Sequence, residues 1–292
     1  MTTRVAVRAQ AKLNLLLHVL AREESGYHSI ETLFQRIELA DDVVVTLAPP
    51  GERTIVCSED VGPAHQNLAY RAAQLYCGPI QWSTGFHIQI TKRIPVRGGL
   101  GGGSADAAAT LLAMNAMAPR KMNDTQLAEL GRELGADVPF LLTDAPRALA
   151  WGRGDRMLKL PPLPLRHVAL VVPEFGISTA EAYQSLVPAL WSQRGQLSFA
   201  DLTSWSSIAG PSRLSGNDLL SPALMLRFPS LNVGITALRA AGAILAGMTG
   251  SGSVLFGIFD SEPDKDALER ATGCQIVLTR TAFDVEAVRR LD

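Results

Sequence analysis

The residues best suited to chemistry here begin with a backbone. Pro95-Val96-Arg97-Gly98-Gly99-Leu100-Gly101-Gly102-Gly103-Ser104-Ala105 carries five glycines within six positions. Such a run lets successive N–H groups turn inward. Where it opens a helix, the helix dipole adds partial positive charge, and the combination suits a phosphate. Two phosphate motifs fail on it. A P-loop needs Lys followed by Ser or Thr after its second glycine, and no Lys follows Gly103. The dinucleotide pattern, counted from Gly99, meets Ser104 where its third glycine belongs. The other reading of the segment is a linker or a tight structural turn.

Three polar side chains stand in apolar or turn-forming surroundings. Lys12 interrupts Ala11 and Leu13-Asn14-Leu15-Leu16-Leu17; it is either a strand-end lysine reaching for solvent or a desolvated, paired cation useful for electrostatic catalysis. Asp137, ahead of Val138-Pro139-Phe140-Leu141-Leu142, is either a helix N-cap or a functional carboxylate. His28, after Gly26-Tyr27, is either a solvated turn histidine or, with Tyr27, a support for a planar ligand.

The elements that must hold these groups can be read from periodicity. Phe86, Ile88 and Ile90 alternate with His87, Gln89 and Thr91, which predicts a half-buried strand before the glycine run. After it, Ala105 to Met114 predicts a helix with Ser104 as N-cap. Further helices are expected after Asn67, through Tyr76, and over Gln126 to Leu134, the latter opened by Asn123-Asp124-Thr125 and closed by Gly135. Arg4 to Arg8, Leu13 to Val19 and Asp42 to Leu47 read as separate strands, with a turn at Ser25-Gly26. Pro161-Pro162-Leu163-Pro164 is the linker candidate, and His167 to Val172 opens a second α+β region. The stretch from Gln193 to Ser215 reads as loop. A second glycine-rich segment, Ala243 to Gly257, is placed between a helix and a strand over Ser253 to Phe259.

Composition narrows the function classes. A chain of 292 residues with 47% hydrophobic and 19% charged residues is ordinary globular protein with room for a large core. A net charge of −1 leaves no electrostatic footprint for nucleic acid or an anionic membrane. Cys57, Cys77 and Cys274 have no metal-type spacing and, with no secretory signal expected, point to a reducing, cytoplasmic setting. The five histidines form no zinc motif. No apolar run of about 18 residues is free of charge, so no membrane span is expected.

Taken in order, Ala11-Lys-Leu-Asn-Leu15, Gly26-Tyr-His28, Gly98 to Ala108, Gly135-Ala-Asp-Val-Pro139 and Met248-Thr-Gly-Ser-Gly-Ser253 resemble the GHMP small-molecule kinase superfamily over nearly the whole chain. The Lys-Leu-Asn, Gly-Tyr-His and Gly-Ala-Asp-Val-Pro segments resemble its branch that acts on cytidine diphosphate-linked methylerythritol in non-mevalonate isoprenoid precursor synthesis. The resemblance implies an α+β fold of two domains, residues 1–162 and 163–292. The first is ribosomal-protein-S5-domain-2-like, the second ferredoxin-like, with the active site in the cleft between them. It implies ATP and Mg²⁺ as cofactors, a monomer or weak homodimer, and phosphorylation of a tertiary hydroxyl. Lys12 and Asp137 would be the catalytic pair: Asp137 as base or orienter, Lys12 stabilising it and the charge developing near the γ-phosphate. Pro95 to Ala105 would hold the triphosphate and Asn67-Leu68 the adenine. Asn14, Tyr27 and His28 would hold the acceptor, His28 reading the cytosine edge and Tyr183 stacking on the base. Gln10 stands where the family usually has Pro, Ala105 where a second Ser is common, and no acidic residue stands out as a magnesium ligand. The other functions weighed are a homoserine- or mevalonate-type kinase on the same fold and a non-catalytic nucleotide-binding protein.

Overall fold

In the computed structural model, residues 3–24, 28–154, 156–186, 202–208 and 216–292 are described. Tyr27, the Ser25-Gly26 turn and most of the Gln193 to Ser215 stretch lie outside them. Within that stretch Trp205–Ile208 form one helical turn with Trp205 and Ile208 buried, so this part is not plain loop.

The chain starts with two long strands, β1 (Arg4–Arg22) and β2 (His28–Ala48), paired antiparallel along nearly their full lengths. The separately expected strands at Arg4, Leu13 and Asp42 are thus fused into these two. Continuous partnering carries the ladder through the polar residues that broke the alternation, and bulges absorb the irregularity. β3 (Arg53–Cys57), α1 (Leu68–Cys77), β4 (Gly85–Thr91), α2 (Gly102–Met117), α3 (Asp124–Leu134) and the single turn α4 (Val138–Leu141) follow, then the hairpin β5 (Arg147–Gly152) and β6 (Arg156–Leu160). β4 alternates buried and exposed positions as its sequence predicts. α3 carries a full capping box between Asn123 and Gln126, and Gly135 ends it.

After the proline-rich connection come β7 (His167–Val172), α5 (Thr179–Gln184), α6 (Trp205–Ile208), β8 (Gly216–Asn217), α7 (Pro222–Arg227) and α8 (Pro229–Ala240). β9 (Leu245–Met248), β10 (Leu255–Phe259), α9 (Lys265–Thr272), β11 (Gln275–Arg280) and β12 (Arg289–Arg290) complete the chain. The first sheet has the order β12-β1-β2-β4-β3, with β5 and β6 continuing from β2 and β8 joining β1. The second is antiparallel, in the order β11-β7-β10-β9. Two strands from after the proline run therefore enter the first sheet, and an Ile37–Thr281 bridge ties the sheets further.

The second glycine-rich segment differs from expectation. It contains a strand, β9, and joins β9 to β10 as a hairpin connection; β10 starts at Leu255, not Ser253. The short run Leu245–Met248 lacks a readable period, and pairing with β10 supplies its structure.

α2 is buried on most of its surface, with Ala105, Ala107, Ala108, Ala109, Leu111, Ala113 and Met114 all in the core. Its alanines let it lie close to β1 and α1. Against the second sheet, α8 presents the stripe Leu231, Ile235 and Leu238. Among the described residues no helix is long and apolar enough to cross a membrane.

Candidate active site

β1 is buried from Ala9 through Val19, so any side chain there that is not apolar needs a partner. Bulges interrupt its pairing with β2 at Gln10/Lys12 and Asn14/Leu16. Between them the register is regular, so alternation puts Lys12 and Asn14 on one face, with Lys12 against the glycine run at Gly99 and Gly101. Lys12 is not a snorkelling lysine: its side chain is 3% exposed. Its Nζ donates to Asn14 Oδ1 at 2.7 Å and to Gly99 O at 3.0 Å, lies 3.3 Å from Asp137 Oδ2, and sits over the Phe34 ring.

Asp137 is not a capping residue. It precedes α4 in a right-handed helical conformation and its side chain caps nothing, leaving the carboxylate to Lys12. With 29% of its side chain exposed, it opens into the cleft. α4 is held from behind by buried Arg36, which donates to the carbonyls of Phe140, Thr143 and Ala145 and stacks over Phe140. Burial pulls the Arg36 guanidinium down to about 10, with Asp144 opposing. Nothing in the local sequence marks Arg36; only the fold brings three helix-end carbonyls to it.

The glycine run reaches its helix earlier than its composition suggests. Gly101, at φ +73, takes the cap position, and Ala105 N donates to Gly101 O, so Ser104 lies inside the first turn. A Cβ at Gly101 would sit 3.0 Å from Lys12 Cε, so close backbone approach and a positive φ both require glycine there. Gly99 packs on the second glycine segment, where an added Cβ would meet Thr249 O at 2.2 Å. The two glycine segments, 150 residues apart at Gly99 and Thr249, thus form one floor. Thr249 Oγ1 donates to Gly99 O and accepts from Asn14 N; Gly250 N donates to Asn14 Oδ1, and Val254 N to Gly98 O. Asn217 locks the second segment by donating to the carbonyls of Met248 and Gly250.

The floor, Lys12 and Asp137 line a cleft of about 1470 Å³ between the two sheets, together with Asn14, His28, Val96, Arg97, Gly98, Gly99, Gly101, Ser104 and Tyr183. Arg22, Arg153 and Glu174 also line it; no local pattern marks these charges. Asn14 faces the cleft, yet its amide is engaged on both sides, accepting from Lys12 and Gly250 and donating to Thr32 Oγ1. It orients Lys12. Pro95, Leu100, Gly102, Gly103 and Ala105 do not line the cleft, and Leu100 and Ala105 are core residues. Asn67 and Leu68 do not line it either: Asn67 Oδ1 caps α1 through Ala69 N, and its Nδ2 donates weakly to Cys57 Sγ.

His28 and Tyr183 stack on each other, centroids 4.5 Å apart and planes 24° from parallel. A third ring between them would need roughly 7 Å, so a base takes an outer face of this pair or enters as the rings part. Partial burial lowers the His28 imidazole, with Arg22 adding to it. Burial, then the charge of Asp137, pushes the Tyr183 phenol up to about 12. Among the described residues no group of three or more His, Cys, Asp or Glu could cage a metal ion.

Residues 67–144 match the GHMP kinases N terminal domain and residues 198–275 the GHMP kinases C terminal domain. A 4-diphosphocytidyl-2-C-methyl-D-erythritol kinase of Pelotomaculum thermopropionicum is 38% identical over 95% of this chain and 98% of its own length. A crystal structure of 4-(cytidine 5'-diphospho)-2C-methyl-D-erythritol kinase is 34% identical, with a TM-score of 0.76 over 95% of this chain and 99% of that one. A homoserine kinase from Cytophaga hutchinsonii, 18% identical, has a TM-score of 0.74 over 99% of this chain and 98% of that one, and shares the fold. The chain belongs to the GHMP kinases, in the branch of the 4-diphosphocytidyl-2-C-methyl-D-erythritol kinases.

Proposed function

We propose that this enzyme transfers the γ-phosphoryl group of ATP to the 2-hydroxyl of 4-diphosphocytidyl-2-C-methyl-D-erythritol, in a cytoplasmic pathway to isoprenoid precursors. The observation that carries this reading is the Lys12–Asp137 pair, 3.3 Å apart at the mouth of the glycine floor. A buried cation and a half-open carboxylate beside backbone N–H groups and a helix start are what an alcohol kinase requires. In the reaction the acceptor oxygen bonds to the γ-phosphorus, the bond to the β,γ-bridging oxygen breaks, ADP departs, and the hydroxyl proton passes to Asp137. Because such transition states are loose, orienting the hydroxyl counts for as much as removing its proton. Lys12, held by Asn14 Oδ1 and Gly99 O, faces the charge that develops on the transferring group without reorganising. Mg²⁺ enters as part of the nucleotide substrate, on its phosphate oxygens.

The acceptor's cytosine is assigned to the wall formed by His28 and Tyr183. Arg22, close enough to His28 to act on its charge, supplies positive charge for the acceptor's diphosphate, and Arg153, which also lines the cleft and is paired with Glu23, supplies a second cation. A coupled ADP-release assay tests the reading. The cytidine diphosphate-linked acceptor is expected to turn over and free methylerythritol phosphate, homoserine and mevalonate are not. Equal rates with and without the cytidine would overturn the base-binding wall, and no ADP release with any alcohol would overturn the kinase.

A further inference from the structure

Behind the glycine run lies a cluster that phosphoryl transfer itself does not use. Asp41 comes from β2, Lys92 from the residue after β4, and Asp106 from α2, and their side chains are 0%, 5% and 5% exposed. Lys92 Nζ donates to Asp41 Oδ2 at 2.5 Å and to Asp106 Oδ2 at 2.7 Å. Asp41 Oδ1 accepts from the backbone N–H groups of Arg93 and Ile94, the two residues before Pro95, at 2.5 and 2.8 Å. Asp41 thus fixes the entry to the loop, Asp106 sits in the helix that leaves it, and Lys92 joins them. The ammonium also lies against the loop, 3.5 Å from where a Cβ on Gly102 would be.

We propose that Asp41, Lys92 and Asp106 are positioning residues for the triphosphate, a buried three-membered clamp that fixes both ends of the glycine loop. Buried ionic groups are costly unless each partner is satisfied, so the cluster demands a purpose that packing alone does not supply. Here the purpose is geometric, since glycines carry no side chains to hold their own loop. The cluster also has a pH response. Its charged and titratable neighbours are Asp41 from β2, Lys92 beyond β4 and the Cys57 thiol from β3. Burial, against the pull of Lys92 and with the push of Asp41, holds the Asp106 carboxyl well above the usual carboxylate range, and its Oδ1 has no hydrogen-bond partner among the described residues. As pH rises through this raised range Asp106 loses its proton. The cluster then goes from neutral to a single negative charge beneath a site for an anion. ATP should bind more weakly at pH 8 than at pH 6.

The inference rests on the kinase reading, and the test separates the two. ATP and the cytidine-linked acceptor are varied independently between pH 6 and pH 8 in wild type, Lys92→Met and Asp106→Asn, with each variant's fold followed by circular dichroism. Lys92→Met leaves two buried carboxylates facing each other and is expected to raise KM for ATP by about tenfold or more while KM for the acceptor stays within about twofold. Asp106→Asn keeps a neutral acceptor for Lys92 and removes the titration. Its KM for ATP should therefore rise from pH 6 to pH 8 by about threefold less than wild type. Should Lys92→Met fail to fold, the Asp106→Asn profile decides. A folded Lys92→Met with an unchanged KM for ATP, or with both KM values raised alike, overturns the clamp, as does an Asp106→Asn profile parallel to wild type. Wild type without ATP turnover overturns the kinase reading and the clamp together.

Discussion

Replacing Asp137 with Asn separates a catalytic role from a structural one, because the two predict different sizes of effect. The change keeps the volume of the side chain and removes its charge. At 3.3 Å the attraction between Lys12 Nζ and Asp137 Oδ2 is about 5 kcal/mol at an effective dielectric of about 20. Water reaches the carboxylate, which is 29% exposed, so the net loss in stability should be about 1 kcal/mol or less. Lys12 is not orphaned, since Asn14 Oδ1 and Gly99 O still accept from it, and α4 loses no cap because Asp137 provides none. The melting temperature should therefore fall by no more than about 2–4 °C. Catalysis should suffer far more. Loss of the group that orients and deprotonates the hydroxyl should lower kcat by a factor of about 10²–10⁴, or about 3–5 kcal/mol of barrier, with little change in ATP affinity. Steady-state kinetics beside a thermal melt gives both numbers. Near-wild-type turnover would refute the assignment, and so would a stability loss large enough to account for the lost rate.

Three further changes probe the walls and supports of the cleft. His28→Ala should raise KM for the cytidine-linked acceptor and leave KM for ATP unchanged; equal effects on both would remove His28 from the base-binding wall. Arg36→Met leaves the Thr143 and Ala145 carbonyls without their donor, while Phe140 O keeps Thr143 N and Oγ1, so chemical denaturation should show a loss of about 2–3 kcal/mol, and kcat of the folded enzyme should fall because Asp137 heads α4. Gly99→Ala would place a methyl 2.2 Å from Thr249 O at a φ of +76; a stability loss of about 2–4 kcal/mol and a higher KM for ATP are expected, and an unperturbed melt would contradict the shared floor.

What the sequence made legible were the features set by short-range physics. β4 follows its alternation, and α1 and α3 start where Asn67 and Asn123 can cap them. Lys12 and Asp137 could be singled out because a charge in an apolar run is conspicuous whatever the fold. Features set by long-range contact were not legible. Ser104 looked like the cap because Ser often is one, but a glycine at positive φ starts the helix earlier. The second glycine segment carries no local mark of its link to the first; only the fold seats Thr249 on Gly99. Asp41, Lys92 and Asp106 are spread over 65 residues, each in a context where a charge reads as surface, and only the sheet brings them together. Arg36 is hidden for the same reason.

The central difficulty for this site is that its two charged groups need opposite surroundings. The carboxylate must meet a hydroxyl from solution and so must be open; the cation is most effective where water does not screen it and so must be covered. Paired at 3.3 Å, they cannot both sit in the same element without sharing its exposure. The fold divides them. Lys12 rides the middle of a strand covered on both faces, where Asn14 and Gly99 replace its lost water. Asp137 rides a single helical turn at the cleft edge, free of capping duty and anchored by Arg36 from behind. Moving either group by one position would change the exposures: on β1 it would turn the side chain to the opposite face, and at the head of α4 it would swing the carboxylate by about 100°. The site therefore constrains β1 and α4 in register as well as in residue type. An insertion between Lys12 and Asn14 should abolish turnover even though both residues remain.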